Sequence, residues 1–226
     1  LISAAVIGPF QSIWGPKSFE ISNKPDAINT YRTIFTYFMF ILIFSGLCIA
    51  VLIKDVILLF TDSKYHSAYH YVPIIISAYI FYGINCYTQF SALLMKKTKY
   101  IGLTSLGAGI LNLALNFILI PRYHIWGAAI ATFLSFFILS AVNFPVFQHY
   151  YRIPYEYGRI IKLFVVSIFL FFGTRFIHFD NLYLSLLVKT IISFSYPINL
   201  YLIGFFSKEE IEKASYLFHK YVRLRN

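Results

Sequence analysis

Residues 100–121 and 123–151 contain no Asp, Glu, Lys or Arg. Each stretch is long enough to cross a bilayer, since about 20 residues at ~1.5 Å rise cover the ~30 Å hydrocarbon core. A tight turn at Pro121-Arg122-Tyr123-His124 joins them. Pro121 lacks an amide hydrogen and disfavours helical geometry at Ile120, so the first helix is expected to stop about there. Ser105, Gly109, Asn112 and Asn116 recur at helical spacing and form one stripe. Gly127, Ala131 and Ser135 make a small-xxx-small ridge on the second helix, where another helix can approach closely. A small, polar stripe inside lipid has to face protein or water. The two segments therefore read as a helical hairpin from a larger bundle.

The rest of the chain follows the same pattern. Of 226 residues, 59% are apolar and only 12% charged, and the charges fall in clusters between long uncharged spans. That composition excludes an ordinary soluble domain and predicts an all-α, polytopic transmembrane bundle. The net charge of +10 does not indicate a nucleic-acid binder. Such a protein needs a contiguous basic face, whereas short basic loops on one side of several spans are what membrane insertion produces. Cys48 and Cys86 lie within apolar spans and give neither a disulfide framework nor a metal pattern, so they read as packing residues. Leu1 is not an initiator methionine and the first cation is Lys17, so no signal peptide is read and the chain looks like the later part of something longer.

In order, residues 1–14 resemble the second half of a span that closes at Trp14-Gly15-Pro16. Further spans are expected at about 32–53, 69–94, 100–120, 125–148, 160–177 and 182–205, with a short apolar piece at Val56–Phe60. Alternating loops place Lys17, Lys24, Arg32, Lys96, Lys97, Lys99, Arg152, Arg159, Lys162, Lys208, Lys213, Lys220, Arg223 and Arg225 on one side. Lys54, Lys64, Arg122 and Arg175 fall on the other. The first side is expected to be cytoplasmic, the C-terminus included. No linker divides the chain, and three sections are distinguished. Residues 1–150 hold the partial first helix and four spans, 151–206 two more spans, and 207–226 an amphipathic tail. In the tail, Ser207 and Glu210 fit a capping box, and Ile211, Ala214, Phe218, Tyr221 and Val222 recur at helical spacing. It reads as an interfacial anchor, with partner docking as the alternative.

No catalytic constellation, cofactor motif or metal-ligand spacing is present. The carboxylates Glu20, Asp26, Asp55, Asp62, Glu156, Asp180, Glu209, Glu210 and Glu212 are all expected in loops or the tail. None is expected at membrane depth, which leaves no proton or sodium carrier there. His178 and Asp180 read as solvated edge residues, and His66, His70 and His124 lack metal-ligand spacing. What remains at depth is a set of amides and one lysine. Asn85 and Gln89 share a face, as do Asn112 and Asn116, while Gln11 and Asn143 lie on other spans. Either these amides hydrogen-bond neighbouring helices, at roughly 0.5–2 kcal/mol each, or some line a hydrated path. Lys189 lies about eight residues into its span, roughly 12 Å from the edge. A lysine near the bilayer centre costs about 2.5–3.5 kcal/mol, so it should have compensation, from an anionic substrate group or by snorkelling.

The run Asn-Leu-x-Leu-Asn-x-x-Leu-Ile-Pro-x-x-x-Ile-x-Gly-Ala-Ala-x-Ala-Thr at Asn112–Thr132 resembles the O-antigen and capsule repeat-unit flippases of the multidrug/oligosaccharidyl-lipid/polysaccharide exporter superfamily. Leu93-Leu94-Met95-Lys96-Lys97-Thr98-Lys99 and Pro16 are similar to that family too, so the likeness covers most of residues 1–148. His124 departs from the glycine common at that turn. The resemblance implies two six-helix lobes with alternating access to a central cavity, of which this chain holds the second, plus two extra C-terminal helices. It implies a non-enzymatic transporter of the bacterial inner membrane, in polysaccharide or lipopolysaccharide biosynthesis, with no cofactor. The implied substrate is an oligosaccharide on a polyprenyl diphosphate. Implied partners are membrane lipids, the first lobe of the same protein and other polysaccharide-assembly proteins. Gln11, Asn85, Gln89, Asn112, Asn116 and Lys189 are the expected substrate-pathway residues, and these 226 residues alone are not expected to transport.

A cation-coupled drug exporter of the same superfamily is the nearest rival, and it would normally need an intramembrane carboxylate. A lipid II flippase is a further variant. A membrane glycosyltransferase or polysaccharide polymerase would need an exposed catalytic loop, and the longest outer loop offers only Asp55 and Asp62. A non-transporting structural subunit is the last alternative.

Overall fold

The computed structural model describes residues 2–177 and 181–212, and every regular element among them is helical. A π-helical turn at Ser3–Ile7 leads into α1 (Gly8–Ser22), followed by α2 (Ala27–Phe60) and a 3-10 segment at Ser63–His70. Then come α3 (Val72–Leu94), α4 (Thr98–Tyr123), α5 (Ile125–Tyr150), α6 (Tyr157–Arg175), α7 (Leu182–Phe194) and α8 (Tyr196–Leu202). Helices α2, α4, α5 and α6 are each long and apolar enough to cross a membrane. A fifth is reached if the 3-10 segment and α3, bent by 47° at their junction, count as one span.

The helices pack as a row, α4 on α5, α5 on α3, α3 on α2 and α2 on α6, with α1 against α3 and α7 against α2. Rings fill the junction of α1, α2 and α3. Trp14 stacks on Tyr87 at 4.7 Å between centroids, and Phe90 lies 4.5 Å from Tyr31. Buried phenols and indoles need hydrogen-bond partners, and here they find backbone carbonyls on other helices. Trp14 donates to the Tyr87 carbonyl, Tyr87 to that of Tyr31, Tyr31 to that of Ser18, and Tyr196 to that of Leu163.

Several expected boundaries move. The piece at Val56–Phe60 is the last turn of α2, because nothing between Ile53 and Phe60 breaks a helix. Arg159 and Lys162 belong to α6 rather than to a loop. Helix α4 runs through Pro121 to Tyr123: so close to the end a proline forfeits only one ladder bond, and the His124 amide still reaches the Ile120 carbonyl at 2.8 Å. The span expected at 182–205 is two helices that meet at Ser195, where Pro197 supplies no amide to continue α7. The ridge of Gly127, Ala131 and Ser135 is buried, and a Cβ on Gly127 would lie 2.4 Å from the Leu119 carbonyl oxygen of α4. By contrast α4 has no buried residue, and nothing lies within 4 Å of where a Cβ on Gly109 would be.

Between α4 and α5, His124 adopts φ 50° and ψ −124°. Side chains disfavour that region and glycine does not, which is the physical sense of a glycine at this turn. His124→Gly should raise stability by about 1 kcal/mol, read as a higher midpoint of thermal unfolding in detergent. No change would mean that the turn carries no strain.

Candidate functional site

Helix α7 buries three polar residues, Ser185, Lys189 and Ser193, each four apart. They form one stripe, and α7 packs on α2. Facing them, α2 carries the buried series Leu47, Val51 and Asp55, also four apart. The two stripes meet at a 2.6 Å ion pair between Lys189 Nζ and Asp55 Oδ2. The Ser185 hydroxyl donates to Asp55 Oδ1 at 3.1 Å. Asp55 is 3% exposed and Lys189 7%. Taking one such charge out of water without a partner is prohibitive, so each is the other's compensation.

This corrects the sequence reading of Asp55 as a loop carboxylate. The missed signal was the four-residue spacing itself: once α2 is continued past Lys54, Asp55 falls on the same buried face as Leu47 and Val51. Lys189, expected to meet a substrate anion or to snorkel, makes an ion pair with a protein carboxylate.

The amides separate into pairs. Asn143 Nδ2 on α5 donates to Asn85 Oδ1 on α3 at 2.6 Å, with both residues buried. That leaves Asn85 Nδ2 and Asn143 Oδ1, a donor and an acceptor, buried without partners. Asn116 donates to Asn112 along α4 at 3.0 Å rather than across to another helix, and both are half-buried. Gln89 is half-buried on α3, one turn beyond Asn85, and Gln11 is exposed on α1. The structure thus joins Asn85 to Asn143 and Asn112 to Asn116, but does not gather the six expected residues around one cavity.

A second charged cluster lies where the chain's ends of α2, α6 and the tail converge. The Arg159 guanidinium grips both oxygens of Glu210, at 3.1 and 2.9 Å, and also reaches Glu156 at 3.0 Å. Glu156 accepts from the Thr36 hydroxyl at 2.8 Å and faces Arg32 at 3.7 Å. Arg32 and Arg159, expected on one side of the bundle, both pair with Glu156 in this cluster. Lys54, Arg175 and Lys189 meet at the opposite end of α2. The capping box is formed, with the Ser207 amide on Glu210 at 2.8 Å and the Glu210 amide on the Ser207 hydroxyl at 3.3 Å. The remainder of the expected tail helix lies outside the described residues, as do His178 and Asp180. Among the described residues no three His, Cys, Asp or Glu side chains could hold a metal ion, and Cys48 and Cys86 are unbridged.

Removing one partner of a buried pair strands the other, at about 3–5 kcal/mol, whereas replacing both by apolar residues is often neutral. Asp55→Ala should therefore lower the unfolding midpoint sharply, and Asp55→Met with Lys189→Met should restore it. Equal loss in the single and double variants would deny the coupling. At the other cluster, burial would push the Glu210 carboxyl up, but the Ser207 amide, Arg159 and Tyr37 hold it below its ordinary 4.5. A lowered carboxylate contributes stability above 4.5 that disappears as pH falls through its folded-state value. The stability gap between the wild type and Glu210→Gln should be full at pH 7 and close below pH 4.5; a pH-independent gap would remove the ionic contribution.

No family model, no curated protein and no solved structure matches the chain.

Proposed function

We propose that this chain is a membrane-embedded part of a flippase that moves a polyprenyl-diphosphate-linked oligosaccharide across the bacterial inner membrane by alternating access. On this reading α1–α5 belong to the second lobe of an exporter, α6–α8 are its extra C-terminal helices, and the C-terminus is cytoplasmic. The reading draws on the likeness of Asn112–Thr132 to that superfamily and on the apolar length of α2, α4, α5 and α6. The observation that carries it is the Asn85–Asn143 pair, which holds a spare donor and a spare acceptor buried between two helices. A sugar hydroxyl both donates and accepts, so it is the partner such a pair suits once the helices part. An unpaired buried amide costs about 1–3 kcal/mol, which packing alone gives no reason to keep. The uncovered face of α4 suits contact with an opposing lobe.

Asp55 favours a second reading. A buried carboxylate on α2 is the group a cation-coupled drug exporter would need, although Lys189 neutralises it in this state.

Replacing both amides, Asn85→Leu with Asn143→Leu, removes two unsatisfied groups and should leave protein abundance unchanged or higher. In the parent cell this variant should lower surface polysaccharide several-fold and accumulate lipid-linked repeat units. Normal polysaccharide with heightened sensitivity to cationic drugs would replace the flippase by the exporter.

A further inference from the structure

Beside the buried ion pair lies a cavity of about 120 Å³. It is lined by α2 at Val51 and Lys54, by Tyr69 of the 3-10 segment, by Thr174 and Arg175 of α6, and by Lys189 of α7. Among the described residues, three cations meet here and Asp55 is the one carboxylate bonded to any of them. Lys189 is held at the cavity wall with one donor on Asp55, and its other two have no protein acceptor among the described residues. Lys54 lies over the Tyr69 ring at 5.5 Å and Arg175 over the Phe171 ring at 5.3 Å, contacts that keep both heads at the cavity. Like charges gathered on one cavity repel one another. Three separate elements nonetheless bring these cations together, an arrangement that an anion between them stabilises.

We propose that this cavity is a binding site for a phosphate-class oxyanion, the headgroup of an anionic lipid or a soluble phosphate or diphosphate. Arg175 presents a planar fork that bonds a phosphate through two donors, and Lys54 and Lys189 add point charges from the other sides. Asp55 fixes Lys189 in place and, among the described residues, leaves a net positive lining, so the ion pair acts as the buried support of the site. The site stands whether or not the chain moves a lipid-linked sugar.

The test is a thermal-unfolding titration of the whole chain in uncharged detergent, with three probes: short-chain phosphatidylglycerol, phosphatidylcholine of the same chain length, and inorganic diphosphate. Phosphatidylglycerol or diphosphate should stabilise the wild type saturably, and phosphatidylcholine should not. Stabilisation by phosphatidylglycerol alone assigns the site to a lipid headgroup, and by diphosphate alone to a soluble anion. Lys54→Gln and Arg175→Gln, which leave the buried pair intact, should each weaken the apparent affinity about tenfold. Lys64→Gln, a cation outside the cavity, should not change it. Equal stabilisation by phosphatidylcholine, no stabilisation by either anion, or full affinity in Lys54→Gln and Arg175→Gln would each overturn the proposal.

Discussion

Lys189 and Asp55 sit 2.6 Å apart in a bundle whose neighbouring contents are mostly hydrocarbon and aromatic rings. Neither charge is tolerable there without the other, because apolar surroundings offer no solvent to replace the partner. The pair therefore fixes the register of α7 on α2: sliding one helix by a single residue would rotate Lys189 about 100° off the shared face. Ser185 and the cavity at Lys54 and Arg175 take their positions from that register.

The same pressure to pair buried polar groups acts on the tyrosines. Tyrosine is abundant here, and the buried hydroxyls of Tyr31, Tyr87 and Tyr196 donate to backbone carbonyls of other helices. Each such bond pins two helices while the ring fills the space between them. The interface of α3 with α5 departs from this pattern, since Asn85 and Asn143 satisfy only half of their amide atoms. The aromatic junction of α1, α2 and α3 is thus bonded through its rings, whereas the amide pair of α3 and α5 is bonded through one of its two possible contacts.

At its other end α2 meets a network open to water. Arg159, Glu156, Glu210 and Arg32 retain partial exposure, so their bonds are individually weaker than the buried pair. Arg159 also lies 4.6 Å from the Phe205 ring, so a single side chain links α6, the aromatic turn after α8 and the start of the tail. Helix α2 is thus anchored by charge at both ends and by rings between them.

The linear chain determined how much of itself is helical and apolar, because charge-free runs of that length have few alternatives in any solvent. It also determined the hairpin of α4 and α5, the close approach at Gly127 and the capping box at Ser207, all set by local spacing and local chemistry. What it left open were meetings between distant residues. Asp55 read as a loop residue because the adjacent Lys54-Asp55 pair looks like a span boundary, and its partner lies 134 positions away. The Asn85–Asn143 contact and the grip of Arg159 on Glu210 likewise depend on which helix faces come together. Local spacing fixes which residues share a face; only tertiary packing decides which faces meet, because burial rewards the sum of all contacts and no single position encodes it.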